Sequence, residues 1–174
     1  MNDPGIYILR QGMRPFFLGA GLYAVVAMTT WLGMFADIFV PPTAFDPVTW
    51  HAHEMLYGFI SAAVAGFLLT AIPNWTGRLP VKGGSLGLLA LAWLAGRIAI
   101  YTSDIIGNLA TGLLDISFLL LLGGLFIREI VAGKNWKNLA VVLPVILLAA
   151  ANIAIHGGML GLWNDVTREA LFLG

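Results

Sequence analysis

Residues 50–72 read WHAHEMLYGFISAAVAGFLLTAI: two histidines and a glutamate open the stretch, and no further charged residue follows before Ile72. A helix rises 1.5 Å per residue, so about 20 apolar residues cross the roughly 30 Å hydrocarbon core of a bilayer. The stretch is therefore a membrane span with a polar cap. Four more runs have the same character, approximately Phe16 to Ala36, Gly84 to Tyr101, Gly107 to Val131 and Leu139 to Met159. The short alternating strands of a membrane barrel are missing. The fold class is all-α, a polytopic transmembrane helix bundle of about five spans. A further apolar run opens at Ala170 and reaches Gly174, the start of a sixth span. On this reading residues 1–174 are a single transmembrane helical domain, incomplete at the C-terminus.

Composition agrees. Of 174 residues 59% are apolar and 10% charged, where a soluble domain carries about 25% charged residues. Nine Lys and Arg balance nine Asp and Glu, so no net charge is available to grip phosphate backbones, and nucleic acid is excluded as a partner. With no cysteine, any metal must be held by His, Met or carboxylate. The first run is too long for a cleaved signal peptide and lacks a small-residue cleavage site before Asp37.

Prolines and glycines set the expected boundaries: Pro41, Pro42 and Pro47 crowd the first connection, Pro73 stops the second helix, and Pro144 kinks the fifth. The connection near Ser103 to Ile106 is so short that spans three and four must be antiparallel neighbours. Arg10, Arg14, Arg78, Lys82, Arg128, Lys134 and Lys137, seven of the nine cations, fall on one side of the alternating topology, while the connections around Pro41 and Asp104 have none. Cations accumulate in short cytoplasmic loops. The N-terminus is therefore cytoplasmic, and the Pro41 loop faces outward.

That orientation puts all three histidines on the outer face, His51 and His53 at the mouth of span two and His156 near the end of span five. At 100° per residue His51 shares a face with Met55 and His53 with Tyr57, while Glu54 leads a small-residue stripe of Gly58, Ser61 and Ala65. Interfacial anchoring explains one histidine. Two histidines, a Glu and a Met within five residues form a denser ligand set, and imidazole suits haem iron and copper. The zinc-protease helix is excluded, because position 57 is Tyr and not a second His. The sequon at Asn74 lies on the cytoplasmic side and is idle.

Charges inside a span cost about 2.5–3.5 kcal/mol near the helix centre, and Arg97 and Asp115 are two such groups. Both lie at similar depth when counted from the turn near Ile105, so they are expected to pair. The pair either locks spans three and four together or leaves Arg97 to hold a propionate or another anion. Asn108, Thr111 and Asp115 give span four an inward polar stripe. Asn152 and His156 share a face of span five, so Asn152 is either an interhelical hydrogen bond or the orienting partner of His156. In the second case His156 is an axial ligand facing the span-two histidines across one cofactor, with His53 the first choice for haem and His51 with Met55 for copper.

The run from Trp50 to Met55, followed by GFLLTAIPNWTGR over residues 66–78, resembles the signature of NnrS proteins. The Arg14-Pro15-Phe16-Phe17-Leu18 segment, the Gly96-Arg97 pair, Asp115 and the Asn152 to His156 spacing are similar too. The resemblance implies a bacterial membrane protein with haem and copper, tied to the nitric oxide response and denitrification, with nitric oxide as ligand and His51, His53, Glu54, Arg97 and His156 as the residues carried over. Members are considerably longer, which implies that this chain corresponds to an N-terminal portion and that a homo-oligomer or the C-terminal half completes it. Two other classes fit the residues alone: a transporter or channel lined by Arg97, Asp115 and Glu54, and a structural membrane subunit.

Overall fold

The computed structural model describes residues 7–164 and 166–173. Gly174, the last residue of the run expected to open a sixth span, lies outside them. Among the described residues there is no strand, and five helical segments are long and apolar enough to cross a membrane: Met13–Phe35, Pro47–Thr76, Gly84–Tyr101, Asn108–Ala132 and Trp136–Met159.

A short 3₁₀ turn (Tyr7–Arg10) leads into α1 (Met13–Phe35). The Pro-rich connection ends at Asp46, whose Oδ1 accepts from the backbone N–H groups of Val48 (3.0 Å) and Thr49 (3.1 Å). That cap and Pro47 in the first turn start α2 (Pro47–His53), because Pro costs nothing where its N–H would be unpaired anyway. Burial pushes the Asp46 carboxyl up, but the hydrogen bonds from Thr49 and Val48 hold it below its usual value. The helix widens into a π-helical segment, Glu54–Ile60, and continues as α3 (Ser61–Thr76). Pro73 does not stop it. The helix closes one turn later at Gly77, whose φ of 69° lets its N–H bond back to Pro73 O at 2.9 Å; Pro73 forfeits only one bond near the helix end, where few follow.

Next come α4 (Gly84–Tyr101), the one-turn α5 (Ser103–Ile106) and α6 (Asn108–Ala132). A 3₁₀ segment (Trp136–Val142) precedes α7 (Leu143–Met159), and α8 (Thr167–Leu173) follows. Pro144 sits in the first turn of α7, not in its interior, so the expected kink is replaced by a change from 3₁₀ to α geometry.

Contacts are most extensive between α4 and α6, followed by α1 with α3 and α6 with α7. Phe16, Trp50, Tyr57, Leu86, Ile100, Phe118 and Phe126 fill the interior, with Phe16 stacked on Phe118 at 5.7 Å. Leu22, Val25, Leu91, Leu113 and Leu120 stay exposed, as lipid-facing side chains should. Gly96 fixes the distance between α4 and α6: a Cβ there would lie 3.1 Å from Asp115 Cα. The Pro41 loop is tied to the α4–α6 turn by Thr43 Oγ1 donating to Ile100 O (2.9 Å) and Ala44 N donating to Ser103 Oγ (2.8 Å). This anchors Phe45, which lies against His53 (5.3 Å between rings) and edge-on to His156 (6.5 Å).

Candidate functional site

The bundle interior holds a polar network to which six elements contribute. Tyr23 comes from α1, His53 from the end of α2, Glu54 from the π segment, Arg97 from α4, Asp115 from α6, and Asn152 and His156 from α7. In a low-dielectric interior each such group must find partners or carry a heavy desolvation cost, and here they find one another. Arg97 Nη1 donates to Glu54 Oε1 at 2.7 Å, and Nη2 donates to Asp115 Oδ1. Tyr23 donates its hydroxyl proton to Glu54 Oε2. The second oxygen of Asp115 accepts from Asn152 Nδ2 (2.8 Å) and lies 3.0 Å from His156 Nε2 and 3.3 Å from His53 Nε2. His53 Nδ1 is 2.9 Å from Glu54 Oε1, and its Nε2 is 3.2 Å from Asn152 Oδ1. His53, Glu54, Asp115 and Asn152 are at most 1% exposed, His156 2% and Arg97 4%.

The π segment is what brings Glu54 into this arrangement. A π turn shifts the hydrogen-bond register by one residue and leaves carbonyls to be satisfied from outside. Trp93 Nε1 donates to Gly58 O at 2.9 Å, and Ser61 Oγ donates to Tyr57 O. Gly58 is needed at that point because a Cβ would overlap the Tyr23 ring and stand 3.1 Å from Arg97 Nη1. Trp93 meets Tyr23 edge-on at 5.7 Å, so one indole braces both the π turn and the phenol that holds Glu54.

Arg97 and Asp115 thus meet, and both terminal nitrogens of Arg97 face carboxylates of the chain, while its Nε has no hydrogen-bond partner among the described residues. His53 and Tyr57 share a face, with rings 4.6 Å apart. His51 and Met55 stand outside the network: the His51 ring stacks on Trp31 at 4.3 Å, and Met55 is partly buried against the apolar core. Sequence reading gave no role to Tyr23, Phe45 or Trp93. Their only signal is a polar or aromatic group amid aliphatic neighbours, which interfacial residues also show.

Metal chemistry can be tested against these atoms. One ligand atom each from His53, Asp115 and His156 lies within 4.8 Å of the others. Two imidazole nitrogens and a carboxylate oxygen suit copper and its first-row neighbours. Glu54 and Asp115 as carboxylates against one guanidinium leave one negative charge, which a second proton on an imidazole or a bound cation would balance. A small ion therefore fits. Haem between His53 and His156 does not: axial imidazoles must aim at one iron across a porphyrin plane, whereas both Nε2 atoms are turned to the same Asp115 oxygen, with no gap for a macrocycle between them.

No curated protein and no solved structure matches the chain. The family model described as NnrS protein matches residues 7–174, a range that takes in all five spans and every member of the buried network. The chain belongs to the NnrS family.

Proposed function

We propose that this chain is a bacterial inner-membrane protein that handles nitric oxide or protects against nitrosative stress through a copper centre at His53, Asp115 and His156. The observation that carries the reading is the convergence of two imidazoles on one carboxylate oxygen in a cluster whose carboxylates outnumber its guanidinium. Copper, when bound, supplies a one-electron-active centre able to take a diatomic ligand. The chain's own residues set the conditions for it. Arg97 occupies Asp115 Oδ1 and so keeps the other oxygen turned toward the imidazoles. Glu54 holds the His53 ring through Nδ1, the kind of outer partner whose loss lowers metal affinity about 10- to 100-fold, and Nε2 would give up its contact with Asn152 Oδ1 to ligate. Phe45, fixed by the Pro41 loop, keeps water away from both histidines. Haem remains an implication of the family alone, and His53 with His156 is not its axial pair. A transport route lined by Arg97, Asp115 and Glu54 has less support, because their charged atoms face one another. The distribution of cations supports a cytoplasmic N-terminus with this centre in the outward half.

The test is copper content and affinity of the purified chain in lipid nanodiscs, for wild type and for His53→Ala, His156→Ala, His51→Ala and Met55→Leu. Stoichiometric copper in the wild type, lost in the first two variants and kept in the last two, is the expected result. Equal copper in all five proteins overturns the assignment.

A further inference from the structure

His156 has a second face that the network does not use. Its Nε2 is turned to Asp115, while its Nδ1 is buried with no hydrogen-bond partner among the described residues. The same residue lines a cleft of about 120 Å³ on the side where α6 and α7 meet. Leu109, Leu113, Ile116, Ile153 and Leu160 supply most of its wall, and Trp163 closes one end. The Trp163 indole is fixed there by donating to Ala154 O at 2.9 Å. Two glycines let its walls pack this closely: a Cβ on Gly112 would stand 3.1 Å from His156 Cγ and 3.3 Å from Nδ1, and one on Gly157 would overlap the Trp163 ring.

The mouth opens on the apolar flank of the bundle, between α6 and α7. Leu109 and Leu113 belong to the spanning helix α6 and are 61% and 66% exposed on its outer side. A charged ligand would have to shed its water to enter an almost wholly apolar channel, and the volume is too small for a helix or a bulky ring system. What the cleft suits is a small uncharged molecule that dissolves in hydrocarbon and meets, at the inner end, one imidazole nitrogen. We infer that the α6–α7 cleft is a lateral binding site and access path by which such a molecule, of about diatomic size, moves from the bilayer to the Nδ1 face of His156. The inference rests on the proposed copper centre only in that the path ends beside one of its ligands, His156; the cleft and its occupant stand apart from it.

Xenon, a small uncharged apolar atom that enters dry cavities, is the probe. Crystals of the full chain grown in lipidic mesophase and pressurised with xenon should show it in the cleft against the His156 ring. Leu113→Trp, which fills the mouth from the lipid side, should abolish that site, while Leu22→Trp on the lipid face of α1 should leave it intact. Unchanged thermal unfolding and copper content in Leu113→Trp would show that the fold and the centre are undisturbed. An ordered lipid tail in the cleft, no xenon there in the wild type, or xenon retained in Leu113→Trp would each overturn the inference. Loss of the copper reading with xenon still in place would remove the proposed centre and leave the access path standing.

Discussion

Asp115 and Glu129 lie on the same helix, about four turns apart, and each meets arginine. Glu129 takes Arg78 Nε at 2.5 Å and Arg128 Nη2 at 2.7 Å, with arginine side chains 43% and 69% exposed. Asp115 meets Arg97 and two imidazoles, and no member of that group reaches solvent to any useful extent. Glu129 itself is buried, but pairs of this first kind, whose cation stays in water, are worth about 0–1 kcal/mol, because water and salt screen the arginine whether or not it touches its partner. In the second kind the charges have been taken out of water, so their attraction mainly offsets desolvation, and removing one partner strands the rest. The contrast argues that the Glu129 cluster marks a membrane boundary, whereas the Asp115 cluster has a cost that stability alone does not justify.

The largest effect should follow from Arg97→Met, which leaves Glu54 and Asp115 buried without a counter-charge. Thermal or denaturant unfolding in nanodiscs should report a loss of about 3–5 kcal/mol. Adding Asp115→Asn should return part of it, since the pair is coupled; a double-variant loss equal to the sum of the single losses would break the pairing. Trp93→Phe keeps most of the ring but strands Gly58 O, for an expected loss of about 1–3 kcal/mol. A wild-type melting curve for that variant would mean that the π turn holds itself. At the small end, Arg78→Gln should cost no more than about 1 kcal/mol, with a difference that vanishes in high salt. A large, salt-independent loss there would erase the contrast between the two clusters.

Much of this architecture is legible in the sequence, for identifiable reasons. Membrane spans are set by hydropathy and length, which do not depend on partners, so five runs were enough to give five spanning helices. Equal depth across a short turn was enough to place Arg97 opposite Asp115, because antiparallel neighbours keep their register. The proline readings went astray where position within the helix, not identity, decides the outcome: Pro73 lies near a C-terminus and Pro144 in a first turn. The π segment left no trace in composition. A 100° wheel puts Glu54 with Gly58, Ser61 and Ala65, and nothing in those residues announces a widened turn whose carbonyl is taken by an indole 35 positions away. Tyr23 was invisible for a similar reason: its partner Glu54 lies on another span. The carboxylate of Asp115 that draws the His53 and His156 rings to one point was not legible either, because it comes from another span.

The central claim is that His53 and His156 ligate one small metal ion together with Asp115. Pulsed electron paramagnetic resonance of the copper(II)-loaded chain in nanodiscs reads it directly, since a ligated imidazole imprints its remote nitrogen on the echo decay. The account predicts two imidazoles on one copper in the wild type, one in His53→Ala or His156→Ala, and an unchanged spectrum in His51→Ala. A single imidazole in the wild type, or a signal that disappears only with His51, would contradict it.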